Sequence, residues 1–251
     1  MSSNNLRTSS FADRAFYDNT CIFNEENMSE VAKTCQLYFK TYEHLIESDF
    51  GHKSGITILE LGAGTCFLSL LLSNFSFVKD ICCVDISLKK MQDLVPFSCR
   101  QIASHPEKLR FVEGDFGQTL NFENDSFDLV AFDAALHHSR SIWTTLSECQ
   151  RVLKPDGLLV CQREAYLGLL SHARKLNDLL KSEEVQKGVS ENAYLKKQYE
   201  YYLRANGFDP RFLPVAENAL QKLLLPLNGL LYSKWVILRA RVGDDSRRSI
   251  Y

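Results

Sequence analysis

Between positions 55 and 162 short apolar runs alternate with stretches whose apolar residues recur at three-to-four spacing, and this alternation constrains the fold more than any other feature. The strand-like runs are 57–61, 81–85, 110–113, 127–132 and 157–162, and helix-compatible runs at 66–73, 88–94 and 142–153 lie between them. Strands that alternate with helices predict βαβ units and a mostly parallel sheet covered on both faces. Upstream, 11–49 reads as helical, and a Gly/His/Lys/Ser linker at 51–55 ends it. Downstream, 165–180 and 193–206 read as helices, with Gly207 placed for a left-handed cap. A strand at 212–215 is confined to a sheet edge by Pro214, and 234–242 is the last strand. No linker divides the chain, so we expect a helical cap at 1–50 belonging to the same domain, a main body at 51–243 and a polar tail at 244–251.

Composition narrows the class. The 251 residues are 45% hydrophobic and 24% charged, as in ordinary globular chains, which argues against wholesale disorder. A formal charge of −2 supplies no basic field for nucleic acid or anionic lipid. Eight cysteines contain no Cys-x-x-Cys pair, and neighbours such as Cys82 and Cys83 point to opposite faces of a strand. Neither a disulfide scaffold nor a structural zinc site is expected, and no metal is assigned. The start of the chain is polar and lacks an apolar signal region. The Leu-rich 220–231 stretch is interrupted by Lys222, Pro226, Asn228 and Gly229, so no membrane span is expected and the expected location is cytoplasmic.

The segment Ile58-Leu59-Glu60-Leu61-Gly62-Ala63-Gly64-Thr65-Cys66-Phe67 runs from an apolar strand through a Gly-x-Gly turn into a helix. Glycines there admit positive φ and let a ligand approach the backbone. A dinucleotide loop wants a small third residue where this chain has Phe67, and no Gly-Lys-Ser/Thr follows to make a P-loop. Glu60 disfavours a phosphate and suits a cationic group. Asp85 ends the second strand, where a carboxylate accepts from ribose hydroxyls. Asp115 closes the third strand, placed to accept from an exocyclic amine, with Phe116 beside it to pack on a flat base. Together these residues describe a ligand with an ammonium end, a ribose and a purine, without pyrophosphate.

With Val84-Asp85-Ile86-Ser87, Gly114-Asp115-Phe116, Ser126-Phe127-Asp128-Leu129-Val130 ahead of Ala135-Leu136-His137-His138, and Arg151-Val152-Leu153-Lys154-Pro155-Asp156-Gly157, five segments follow one another in order. In these the chain resembles class I S-adenosylmethionine-dependent methyltransferases, in the small-molecule branch that includes the ubiquinone-biosynthesis type. The resemblance covers 55–162 and, loosely, the last strand. It implies a Rossmann-like three-layer α/β sandwich, a mostly parallel seven-stranded sheet with an antiparallel final strand, and S-adenosyl-L-methionine as cofactor. Glu60 would hold the methionine ammonium, Gly62, Ala63 and Gly64 would lie under the methionine portion, and Asp85 would bind the ribose. Ile86 would face the adenine and Asp115 its amine, Asp133 would begin the stretch facing the reacting methyl, and Tyr17, beside Phe16 and Asp18, would close over the cofactor. The chain departs from the usual pattern at Cys66, where a third Gly is frequent, and at Asp156, which replaces the first Gly of a Pro-Gly-Gly turn.

His137 and His138 are the candidate catalytic residues, as a base for a hydroxyl acceptor. The Asn/Asp-Pro-Pro-Tyr/Phe tetrapeptide of many base and amide N-methyltransferases is absent; Phe132-Asp133-Ala134-Ala135 stands there instead. Leu-rich 165–188 and 220–231 suggest an apolar-walled pocket and a small organic acceptor. The alternatives are a protein methyltransferase, with an open groove, and a non-catalytic cofactor-binding module.

Overall fold

The computed structural model describes residues 13–16, 18, 25–168, 172–223 and 235–242, the last of these as backbone. After a helical stretch at 13–16 come two helices, α1 (Glu25–Phe39) and α2 (Glu43–Phe50). They bury one stripe through Met28, Ala32, Cys35, Phe39, Ile46 and Phe50, as three-to-four spacing requires. The alternating region follows as β1 (Ile56–Leu61), α3 (Phe67–Leu72), β2 (Val78–Asp85), α4 (Leu88–Gln101), β3 (Leu109–Glu113), β4 (Phe127–Asp133), α5 (Ile142–Val152) and β5 (Leu153–Gln162). Ser87 and Ser141 start α4 and α5, their hydroxyls accepting from the Lys90 and Thr144 amides. Helix α4 runs past the expected stop at 94 with Pro96 inside it, because Met91, Val95 and Ser98 keep its inner face buried.

Strands β1 to β5 are parallel, and β1 pairs with both β2 and β4, so the strand order reverses at β1. That crevice, outside the carboxyl ends of β1 and β4, is where an open α/β sheet takes a ligand. Registers place Leu61 opposite Val84, Asp85 opposite Glu113 and Asp133 opposite Gln162, so the residues that end the strands emerge along one edge. Each strand alternates between two cores. Ile58, Ile81, Cys83, Leu129 and Val160 pack toward α1 to α4. Leu59, Cys82, Val84, Val130 and Cys161 pack toward the other layer, with Leu146 and Cys149 of α5. Cys82 and Cys83 thus do face opposite ways, and the seven described cysteines are all free.

After β5 come β6 (Tyr166–Leu167), α6 (His172–Leu180), α7 (Glu183–Gln186), β7 (Tyr194–Leu195), α8 (Lys196–Ala205), β8 (Phe208–Pro214), α9 (Ala219–Leu223) and β9 (Trp235–Val242). Two helix expectations are corrected here. Residues 166–167 and 194–195 pair as a small parallel sheet, because Tyr166 and Tyr194 both pack against the Tyr199 ring, one tilted and the other edge-on. The helices therefore begin later, at His172 and Lys196. Gly207 has φ +81, the expected left-handed cap, and turns the chain at once into β8, which starts at Phe208 rather than 212. Strand β9 runs antiparallel between β5 and β8, and β8, with Pro210 and Pro214, forms the sheet edge. Among the described residues no helix is long and apolar enough to cross a membrane.

Candidate active site

A cavity of about 250 Å³ opens at the carboxyl edge of the sheet. Of the residues singled out in the sequence, Gly62, Ala63, Gly64, Asp85, Ile86, Phe116, Asp133 and His138 line it, joined by Val31, Thr65, Lys90, Ala134, Ala135 and Arg163. The glycine turn has the conformation its composition requires, with φ +69 at Gly62 and +45 at Gly64. A Cβ on Gly62 would stand 2.6 Å from the Ala135 Cβ and 3.1 Å from Phe116 Cε1. Cys66, at the position where a third Gly is frequent, adopts φ 57, so the left-handed step is retained without the glycine.

Asp85 fastens this turn. Its Oδ2 accepts from the Gly64 amide at 2.9 Å and its Oδ1 from the Ser87 amide at 2.9 Å. Burial raises its pKa, against the lowering effect of those two amides. Glu60 does not line the cavity. It is fully buried below the turn, where Oε2 accepts from the Ser69 amide at 3.0 Å and from the Ser69 hydroxyl, while Oε1 has no partner. Burial, then the neighbouring Cys83, pushes its pKa well above the usual carboxylate value.

Asp115 also lies off the lining. Its carboxylate accepts from the Gly117 amide, Gln118 Nε2 and Arg140 Nη1, at 2.9, 2.9 and 3.2 Å. Arg140 reaches on to Asp13, whose Oδ1 accepts from the Ser190 amide at 3.2 Å. Arg14 pairs with Glu113 at 2.7 Å, and Asp18 accepts from the Ser87 hydroxyl. The described part of the N-terminal segment is thus tied to the loops that follow β2, β3 and β4; Tyr17 lies outside the described residues.

The two histidines separate in role. His137 is buried off the lining, with Nδ1 2.7 Å from Glu164 Oε2. The Glu164 carboxylate also accepts from the amides of Ala135, Leu136 and His137, fixing the loop after β4. His138 lines the cavity and sets Nδ1 2.7 Å from Glu191 Oε2 and 3.0 Å from the Ser190 carbonyl. Burial lowers its pKa, but Glu191, the carbonyl and Glu164 outweigh that and raise it above 6.5. Adjacent positions did not keep the two rings apart: their centroids are 4.3 Å apart, and with Glu191 their donor atoms lie within 4.8 Å of one another.

Arg163, unmarked in the sequence, donates Nε and Nη2 to Asp133 at 2.6 and 2.8 Å. Arg163 and Ala134, the first residues after β5 and β4, hold φ 57 and 54. Non-glycine residues in the left-handed region concentrate at functional sites. No described residue of 165–188 or 220–231 lines the cavity. Helix α6 buries none of its residues, and Leu220 and Leu223 are exposed; 169–171 and 224–231, the rest of the two Leu-rich segments, lie outside the described residues.

Residues 59–161 match the family model of a methyltransferase domain. The match covers less than half of the chain, and the ordered motifs within it resemble those of class I S-adenosylmethionine-dependent methyltransferases. The chain is similar to a demethylmenaquinone methyltransferase of Leptospira interrogans, 29% identical over 150 residues that span 55% of this chain and 59% of the relative. It is also similar to a sterol 24-C-methyltransferase of Pneumocystis carinii, 32% identical over 47% of this chain and 30% of the relative. The chain thus spans less than two thirds of the length of these curated relatives. Among solved structures, an S-adenosylmethionine-dependent methyltransferase from Mesorhizobium loti superposes with a TM-score of 0.56 at 17% identity, covering 80% of this chain and 97% of that one. One from Aquifex aeolicus gives 0.54 at 14%, covering 88% and 99%. At these identities the likeness is one of fold.

Proposed function

We propose that the protein is a methyltransferase that uses S-adenosyl-L-methionine to methylate a small organic acceptor. One observation carries the reading: the glycine turn, Asp85, Ile86, Phe116 and Asp133 converge on a single cavity at the strand switch point. The residues fit the group. The unpartnered Glu60 Oε1 below the turn suits an ammonium, and the space above Gly62 is closed to any side chain. In the proposed site Gly62 to Gly64 lie under the methionine portion, Asp85 takes the ribose hydroxyls, and Ile86 and Phe116 flank the adenine. Asp115 reaches the adenine amine only by releasing Arg140.

When bound, the cofactor supplies an electrophilic methyl group on a sulfonium sulfur. The chain's part is orientation, worth up to roughly 7–11 kcal/mol in favourable cases, and proton removal. Glu191 and the Ser190 carbonyl hold Nδ1 of His138, so Nε2 is the nitrogen that takes the acceptor's proton. His137 acts through the loop it shares with Glu164. The names of the two curated relatives, a quinone and a sterol methyltransferase, support a small acceptor over a protein one. The free cysteines suit a cytoplasmic setting, and the same reading takes 1–50 as a cap of one domain and the whole seven-stranded sheet, with its antiparallel last strand, as the unit that carries the site.

Calorimetry with S-adenosylmethionine and S-adenosylhomocysteine tests the cofactor, and absence of binding ends the reading. A tritiated-methyl assay on fractionated metabolites against cell protein tests the acceptor class: label in the small-molecule fractions is expected, and label confined to protein overturns it.

A further inference from the structure

His137, His138 and Glu191 meet in a way that proton transfer alone leaves unexplained. Glu164 Oε2 accepts from Nδ1 of His137 at 2.7 Å, so in the neutral ring Nε2 carries the lone pair, and it faces Glu191 Oε1 at 3.7 Å. Nδ1 of His138 donates to the Ser190 carbonyl at 3.0 Å. Glu191 Oε2 stands 2.7 Å from that same nitrogen, yet it is buried and takes no hydrogen bond. A buried carboxylate oxygen without a donor is costly unless a cation meets it. The donor atoms of the three residues lie within 4.8 Å of one another. A zinc ion with tetrahedral ligands at about 2.1 Å sets them roughly 3.4 Å apart, so closure needs shifts of about an ångström. Two imidazoles and a carboxylate are a donor set of the zinc class, and the charges of Glu191 and Glu164 together match a dication. Glu164 also gives His137 the carboxylate support that orients a ligating ring. Glu164 accepts from the His137 amide and Asn192 donates to its carbonyl, so this ligand is fixed through its backbone as well. His138 lines the cofactor cavity, whereas His137 and Glu191 do not.

We propose that His137 Nε2, His138 Nδ1 and the Glu191 carboxylate form a site for a divalent cation of the zinc class, behind the wall of the cofactor cavity. Coordination through Nδ1 releases the Ser190 carbonyl and moves the ring's hydrogen to Nε2, which then cannot accept a proton. The cation is therefore a brake on methylation, a consequence that rests on His138 as the base, whereas the site itself does not. Zinc chloride in calorimetry and cobalt(II), through its visible absorption, test the site on the whole chain. One ion per chain is expected. Glu191→Gln should weaken it by more than about tenfold, and Glu164→Gln, which removes the charge behind His137, by about tenfold to a hundredfold. Circular dichroism of each variant reports that it is folded. Absence of zinc binding, or equal binding by wild type and Glu191→Gln, as exposed histidines alone would give, overturns the site. S-adenosylhomocysteine is titrated with and without zinc, and its affinity should agree within about threefold; a protein that takes up zinc but not this nucleoside keeps the site and loses the cofactor reading. In the tritiated-methyl assay zinc should lower the rate and a chelator restore it, and a rate that zinc leaves alone or raises overturns the brake.

Discussion

Glu60 is buried with one oxygen bonded to Ser69 and the other without a partner, an arrangement that costs stability in the ligand-free protein. Glu60→Gln should raise the melting temperature of the free protein by about 2–4 °C, corresponding to ~1 kcal/mol, while weakening the cofactor. A thermal scan paired with calorimetry checks both halves. Gly62→Ala places a Cβ 2.6 Å from Ala135 at φ +69, so it should lower stability by about 1–3 kcal/mol and abolish cofactor binding in the same pair of measurements. His138 gives a pH signature. Its pKa is raised in the folded protein, so its pairing stabilises the fold fully below about pH 6.5 and progressively less as pH rises through the folded value. As a base it acts only when neutral, so the methylation rate should climb over that same rise. Glu191→Gln should move the midpoint toward lower pH, and a profile that does not move removes His138 from the proton transfer. At this scale the sequence was informative where a residue type is tied to one backbone conformation or one strand end, as at Gly62, Gly64 and Asp85. Arg163 and Glu191 were not legible. One acts through a left-handed step no composition marks, and the other reaches the site from a segment far along the chain.

The loop after β4 is held by the Glu164 carboxylate together with Asn192, whose Nδ2 donates to the His137 and Ser139 carbonyls. Glu164 accepts from three successive amides, those of Ala135, Leu136 and His137, and touches Nδ1 of His137. Glu164→Ala leaves those buried donors without an acceptor. The expected cost is about 3 kcal/mol, a fall of roughly 6–12 °C in melting temperature, and denaturant unfolding should return the same loss. Strands β1 to β5 and the three helices between them were legible because their apolar periods are strict. The region from 165 to 206 was not: Tyr166 and Tyr194 sit in helix-compatible runs, yet their packing on Tyr199 draws two short strands out of them. Tertiary contacts override local propensity most easily where an element is short.

For the whole molecule, the ligand is expected to be a stabiliser of the fold. At a hundredfold excess over its dissociation constant, S-adenosylhomocysteine should contribute about 2.7 kcal/mol. That corresponds to an upward melting shift of about 5–10 °C. NAD at the same concentration should leave the melting point where it was, since the third small residue of a dinucleotide loop is replaced by Phe67. Equal shifts by both would remove the distinction drawn from the glycine turn. The overall class was legible because alternating strands and helices permit few arrangements. The order of the last strands was not, since β9 enters between β5 and β8 through a pairing that no local pattern announces.

Strand β8, the rim of the sheet, carries Pro210 and Pro214. Each proline withholds an N–H that an incoming backbone would need. A neighbouring backbone thereby finds fewer donors at that border, and lateral extension of the sheet past β8 is disfavoured.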